Sequence, residues 1–93
     1  MAYGILTPKF PLGSIVATPG VLSLGIDLRP FLRRHRAGDW GDGLCAEDRE
    51  ANDHALHDGC RLLSCYRTGG GQRIYVITEG DRSLTTVMLP EEY

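Results

Sequence analysis

The sequence predicts one α+β domain: a C-terminal three-stranded antiparallel meander packed with two short helical segments, and a candidate extra strand near Ile15. Three observations predict it. Leu62 to Arg67, Arg73 to Glu79 and Leu84 to Leu89 are short runs rich in β-branched and aromatic residues. The intervening Thr68-Gly69-Gly70-Gly71-Gln72 and Gly80-Asp81-Arg82-Ser83 are short and turn-forming, so neighbouring strands join as hairpins. Ahead of them, two segments carry helix caps and helical spacing, and 93 residues leave room for one core. Residues 1–93 therefore read as a single small domain, with an extended lead (1–12), a mostly helical half (13–59) and the meander (60–93).

Taken in order, Phe10-Pro11-Leu12-Gly13-Ser14-Ile15-Val16-Ala17 is extended or irregular. Thr18-Pro19-Gly20 marks a helix start, because Thr18 can cap the first turn and proline loses nothing there. Gly25 weakens that helix, and Asp27 offers a second cap with Pro30 in the next first turn. Leu28, Phe31, Leu32 and His35 then share one face at i, i+3, i+4 and i+7, while Arg29, Arg33 and Arg36 form the opposite stripe. Gly38-Asp39-Trp40-Gly41-Asp42-Gly43 is too rich in glycine for regular structure and reads as a tight loop.

A helix over about Ala46 to Asp58 follows, ended by Gly59 in a left-handed cap. Ala51, Ala55 and Leu56 form its narrow apolar seam, and Glu47, Glu50, His54 and His57 its outer side. In the meander, Ile74 and Val76 oppose Tyr75 and Ile77, and Leu84 and Met88 oppose Val87. Both sheet faces thus carry apolar side chains. The 46–58 helix is expected to cover one, and the N-terminal segment or another chain the other, which raises a homodimer or a docked partner.

Composition narrows the function. A chain of 93 residues buries only roughly 60–65% of its unfolded surface, so any reaction pocket is shallow or shared. A net charge of −2 argues against a general nucleic-acid binder. No run reaches the roughly 18–20 apolar residues of a membrane span, and Lys9, Pro8 and Pro11 interrupt the apolar start that a secretory signal would need. Cys45, Cys60 and Cys65 are too few for a disulfide framework, and a strand between the last two holds their Cα atoms about 16 Å apart. The expectation is a reduced, cytoplasmic protein, without membrane association.

No group of reactive residues is expected to act as a catalytic site, and no metal or cofactor is expected. Cys45 and His54 stand nine residues apart on one helix, about 13 Å along its axis, too far for direct proton transfer. The cysteines read as packing residues. Glu50, His54 and His57 can share a helix face but lack the paired motifs of a zinc site. Gly69-Gly70-Gly71 has neither the Lys-Ser/Thr nor the following helix of a phosphate loop. The densest hydrogen-bonding group is Thr78, Glu79, Asp81, Arg82, Thr85 and Thr86, a turn-stabilising set or a partner-binding cluster. Trp40 is either a plug in the core or an anchor for a partner. Candidate partner-binding residues are thus Trp40, Glu79, Asp81, Arg82, Thr85 and Thr86. Arg29, Arg33, Arg34 and Arg36, four arginines in eight residues, are the candidates for nucleic-acid contact.

The pattern Gly38-Asp39-Trp40-Gly41, Leu44-Cys45, Glu47-Asp48, Asn52, Ala55-Leu56, Gly59, Arg61-Leu62-Leu63-Ser64, Tyr66, Ile77-Thr78-Glu79, Asp81-Arg82-Ser83, Thr85-Thr86 and Leu89-Pro90-Glu91-Glu92-Tyr93 resembles a family of short proteins carried by plasmids, prophages and integrative elements. The lead from Phe10 to Gly20 fits it as well. Gly43 stands as a one-residue insertion and Gly80 replaces an alanine. Some such proteins are labelled type I restriction subunit M, a role that needs a cofactor-binding domain several times this length. The resemblance implies a setting in mobile DNA. The expected function is a non-catalytic accessory protein acting by protein binding, in its sharpest form an inhibitor of host defence (anti-CRISPR or anti-restriction). The alternative is a nucleic-acid-associated regulator using the arginine-rich helix, and a small metal-binding protein or hydrolase comes third.

Overall fold

The structure of the chain, a computed structural model, describes residues 8–93. The first seven residues of the expected extended lead lie outside the described residues. The elements are β1 (Ser14–Ala17), α1 (Pro19–Leu22), α2 (Arg29–Arg36), α3 (Ala46–Asp58), β2 (Leu62–Arg67), β3 (Arg73–Thr78), β4 (Leu84–Met88) and a final 3-10 turn, Pro90–Glu92. The fold is α+β, with one four-stranded sheet in the order β1-β4-β3-β2.

Local chemistry sets the helix ends. The Thr18 hydroxyl accepts from the Val21 N–H at 3.4 Å, with Pro19 in the first turn. The N-cap of α2 is Leu28, without a side-chain cap, and Asp27 one residue earlier takes the Arg29 N–H on its Oδ1 at 3.0 Å. Glu47 and Asp48 in the first turn of α3 suit the positive end of its dipole. Gly59 closes α3 in the left-handed conformation, φ 75°.

β2, β3 and β4 form the antiparallel meander, with Leu62 opposite Thr78, Arg67 opposite Arg73, and Thr78 opposite Thr85. β1 adds parallel to β4, from Ser14 beside Leu84 to Ala17 beside Val87. The inner face of the meander presents Leu62, Ser64, Tyr66, Ile74, Val76, Thr78, Thr85 and Val87, all less than 2% exposed. Val21, Leu24, Leu28, Phe31 and Leu32, from α1, α2 and the loop between them, pack around Tyr66, Ile74, Val76 and Val87. A second cluster gathers Phe10, Trp40 and Ala55 on Leu62.

Two expectations are corrected here. The 46–58 helix does not roof the sheet: α1 and α2 do, and α3 packs at the Leu62 end, along the edge of β2 and against the β3–β4 turn. Ala51 is exposed, and the buried positions of α3 are Asn52 and Ala55. The reason is polar. The Asn52 side chain donates to the Leu63 carbonyl at 2.7 Å and accepts the Leu63 N–H at 3.1 Å, standing in for a neighbouring strand. One pleat further on, the Cys65 N–H donates to the Trp40 carbonyl (3.0 Å) and the Cys65 carbonyl accepts from Gly43 N–H (3.3 Å). The β2 edge is therefore closed by side chain and loop rather than left open for another chain. On the opposite face, the described part of the N-terminal segment gives no cover, since Leu12 accepts a hydrogen bond from inner-face Thr85. The C-terminal Tyr93 lies there instead, edge-on to Tyr75 at 5.9 Å and hydrogen-bonded by Arg61 at 3.2 Å. Among the described residues no helix is long and apolar enough to cross a membrane.

Candidate functional site

The polar cluster around the β3–β4 turn separates into interior braces and surface groups. Arg82 adopts a positive φ of 62°, rare without glycine. Three carbonyls hold it there: Cys60 at 2.6 Å, Glu79 at 3.3 Å and Ala55 at 2.7 Å. Its guanidinium also sits 5.6 Å from the Phe10 ring centroid. Arg82 thus ties the last turn of α3 to the β3–β4 turn. Thr78 and Thr85 are wholly buried. Asp81 Oδ1 accepts from the Ser83 N–H (3.0 Å) and hydroxyl (2.6 Å), and these bonds hold its carboxyl below the usual range. Glu79 pairs with Arg61 at 3.6 Å. Asp81 is exposed, and Glu79, Arg82 and Thr86 are half-buried.

Trp40 is 3% exposed and offers a partner nothing to grip. Its indole stacks on Phe10 at 6.2 Å, and its N–H donates to Asp53 at 3.0 Å. The glycines around it are needed by the strand beneath. Gly41 has φ 83°, and a Cβ there would overlap the Cys65 carbonyl, while one on Gly43 would overlap the Cys65 sulfur.

The four arginines of α2 have different fates. Arg34 binds both carboxylate oxygens of Asp39, at 2.7 and 3.3 Å, and lies 4.6 Å over the Tyr66 ring. That pairing holds the Asp39 carboxyl below its ordinary value. Arg29 grips Asp27 at 2.9 Å and lowers its carboxyl to about 2. Arg33 and Arg36 make no ion pair among the described residues. Arg29, Arg33 and Arg36 line a cavity of about 250 Å³ with Leu12 and Leu32 on its walls.

A buried polar chain emerges that no motif announced. His35 is 0% exposed; its Nδ1 is 2.5 Å from Ser64 Oγ and its Nε2 2.9 Å from Thr78 Oγ1. Thr78 reaches Thr85 at 2.7 Å, and Thr85 donates to the Leu12 carbonyl at 2.7 Å. The carbonyl cannot donate, so it orders the whole chain: Thr78 donates to Thr85, His35 Nε2–H to Thr78, and Ser64 to the bare Nδ1. Burial, helped by the Arg82 charge, holds the imidazole down to about 3, so it is neutral. A serine hydroxyl donating to a neutral imidazole is the pairing that activates a nucleophile. Here both residues are sealed, with Phe10 and Trp40 edge-on to the ring at 5.2 and 5.8 Å. No substrate reaches them, and the chain serves to register α2 on β2, β3 and β4. The signal lay in the sequence: His35 continues the apolar face of Leu28, Phe31 and Leu32, and strand alternation puts Ser64 and Thr78 on the inner face.

Cys45 and Cys60 are exposed free thiols, so only Cys65 is a packing residue, its thiol pushed up by burial. Glu50, His54 and His57 lie exposed along α3. Among the described residues no three His, Cys, Asp or Glu side chains gather as metal ligands.

The surface that remains is apolar and local. Among the described residues the exposed large hydrophobic ones are Ile15 (50%), Val16 (45%), Leu22 (62%), Ile26 (36%) and Tyr93 (68%), so four of these five fall within β1, α1 and the loop after it. The Ser14 N–H bonds to Ser83 and that of Thr18 to Val87, both toward β4. By the alternation of the pleat, the N–H and C=O of Ile15 and Ala17 point the other way. Among the described residues no strand pairs with that edge. Leu12, two residues ahead of β1, also lines the arginine cavity, which brings that cavity to the start of the strand. No family model, curated protein or solved structure matches the chain.

Proposed function

We propose that the chain is a non-catalytic accessory protein of mobile genetic elements that works by binding another protein, with β1 as the contact. One observation carries the reading. The two sheet edges are treated in opposite ways: β2 is closed by Asn52, Trp40 and Gly43, while β1 exposes Ile15, Val16 and a backbone unpaired among the described residues. An extended segment of a partner adds to such an edge through main-chain hydrogen bonds, and its side chains supply specificity. The adjoining Arg29, Arg33 and Arg36 favour acidic side chains on that segment. The genetic setting rests on the resemblance described above, and inhibition of a host defence system is the sharpest form of the reading.

The test is affinity capture from the host with wild-type protein and with Ile15→Lys/Val16→Lys, both positions being exposed enough to accept lysine without loss of fold. The reading expects a protein recovered with the wild type and lost with the double variant, at unchanged thermal stability. Equal recovery by both, or no protein with either, removes it. A second reading, a nucleic-acid-associated regulator, is favoured by the arginine cavity. It expects Arg33→Glu/Arg36→Glu to abolish binding to nucleic acid, with steep salt dependence in the wild type.

A further inference from the structure

Arg67 and Arg73 stand directly opposite each other where β2 and β3 begin their hairpin. Like charges at facing positions of an antiparallel pair repel, and the arrangement is unfavourable unless something lies between them. Neither makes an ion pair among the described residues, and both are exposed. They do not project into open water alone. With Cys65, Tyr66, Asp42 and Gly43 they line a cavity of about 340 Å³, a volume in the range of small-molecule sites. The loop wall comes close because residue 43 is glycine: a Cβ would strike the Cys65 sulfur. Both guanidinium groups are near enough to the Cys65 thiol to oppose the effect of its burial. The cavity is thus bounded by two cations on one side and a backbone loop on the other. Asp42 is the one acidic residue of its lining, fully solvated and 4.0 Å from Arg49.

We propose that this cavity is a phosphate-binding site, in which Arg67 and Arg73 together clamp the phosphoryl group of a small molecule. A carboxylate has two oxygens and is satisfied by one guanidinium fork; a phosphoryl group has three or four and accepts from two forks at once. The remaining volume, against Tyr66 and Gly43, admits the body of a phosphate monoester beyond the charged group. The site is separate from β1 and does not depend on the protein-binding reading.

The test is thermal unfolding of the full chain in sodium phosphate against sodium chloride at matched ionic strength and pH, with the amide shifts of Gly43, Arg67 and Arg73 followed by NMR. Phosphate is expected to raise Tm above chloride and to shift these amides saturably. Arg67→Gln and Arg73→Gln are each expected to remove the phosphate increment while leaving Tm in chloride equal or higher, because the repulsion is relieved. A merely structural pair would lose stability instead. Asp42→Asn is expected to tighten binding. Adenosine monophosphate binding more tightly than inorganic phosphate identifies a monoester as the ligand, and the reverse identifies the free ion. Equal effects of phosphate and chloride, a phosphate increment that survives both arginine substitutions, or succinate binding as well as phosphate overturns the proposal.

Discussion

Acid should weaken this fold well above the range in which carboxylates titrate, and His35 is the reason. Its imidazole is held down to about 3 by burial in the folded chain, against an ordinary 6.5 once exposed. Between those values the unfolded chain binds one proton more than the folded one, so stability rises with pH. The contribution is complete above the ordinary value and is lost as pH falls toward the folded one. The slope is about 1.4 kcal/mol per pH unit, so going from about pH 7 to about pH 5 removes roughly 2 kcal/mol. For a domain of this size that corresponds to a fall in Tm of roughly 10 °C. Asp27, Asp39, Asp81 and Glu92, all held below the usual carboxylate range, act in the same direction but at lower pH. The upper window therefore belongs to His35. Urea unfolding followed through the single buried Trp40 reads it directly. His35→Gln, which can still accept from Ser64 and donate to Thr78, should lose stability at neutral pH yet show no slope across the window. His54→Gln and His57→Gln should keep the slope. A flat wild-type profile, or a slope that persists in His35→Gln, would refute the reasoning.

Two further expectations concern the joints of the fold. Asn52→Ala removes both bonds to Leu63 and opens the β2 edge, which should lower stability by about 2 kcal/mol and promote aggregation, measured by urea titration and light scattering. An unchanged urea midpoint would show that the amide does not hold the edge. At Arg82 the order of stability should be wild type, then Arg82→Gly, then Arg82→Ala. Both variants lose the three carbonyl bonds, but glycine escapes the positive φ and should exceed alanine by about 1 kcal/mol.

The meander was legible because β-branched and aromatic residues alternate along each strand and glycine-bearing turns separate them. The helix ends were legible because Thr18, Asp27, Pro30 and Gly59 are local devices that act on their own backbone. The extra strand near Ile15 was legible only as a candidate, and its parallel pairing with β4 was not. Four residues carry too little periodicity, and a partner some seventy positions away leaves no mark on the local pattern. The place of α3 was misjudged for a related reason. Counting carbon along the helix favoured Ala51, whereas Asn52 decides its position by bonding backbone, and a buried asparagine reads in sequence as a solvated one. Trp40 and Thr85 fell among the partner-binding candidates by residue type, and burial alone shows them to be interior. The surface that carries the functional reading is defined by contrast between two edges, a property of the assembled sheet and of neither strand by itself.

That contrast is tested most directly by amide hydrogen exchange along β1, measured on the free protein and on its complex with the captured partner. In the free protein the Ser14 and Thr18 amides, bonded to β4, should be protected, and those of Ile15 and Ala17 should exchange fast. Strand addition predicts that Ile15 and Ala17 become protected in the complex while Ser14 and Thr18 stay as they were. A stable complex in which Ile15 and Ala17 still exchange fast, with new protection confined to another surface, would contradict the account.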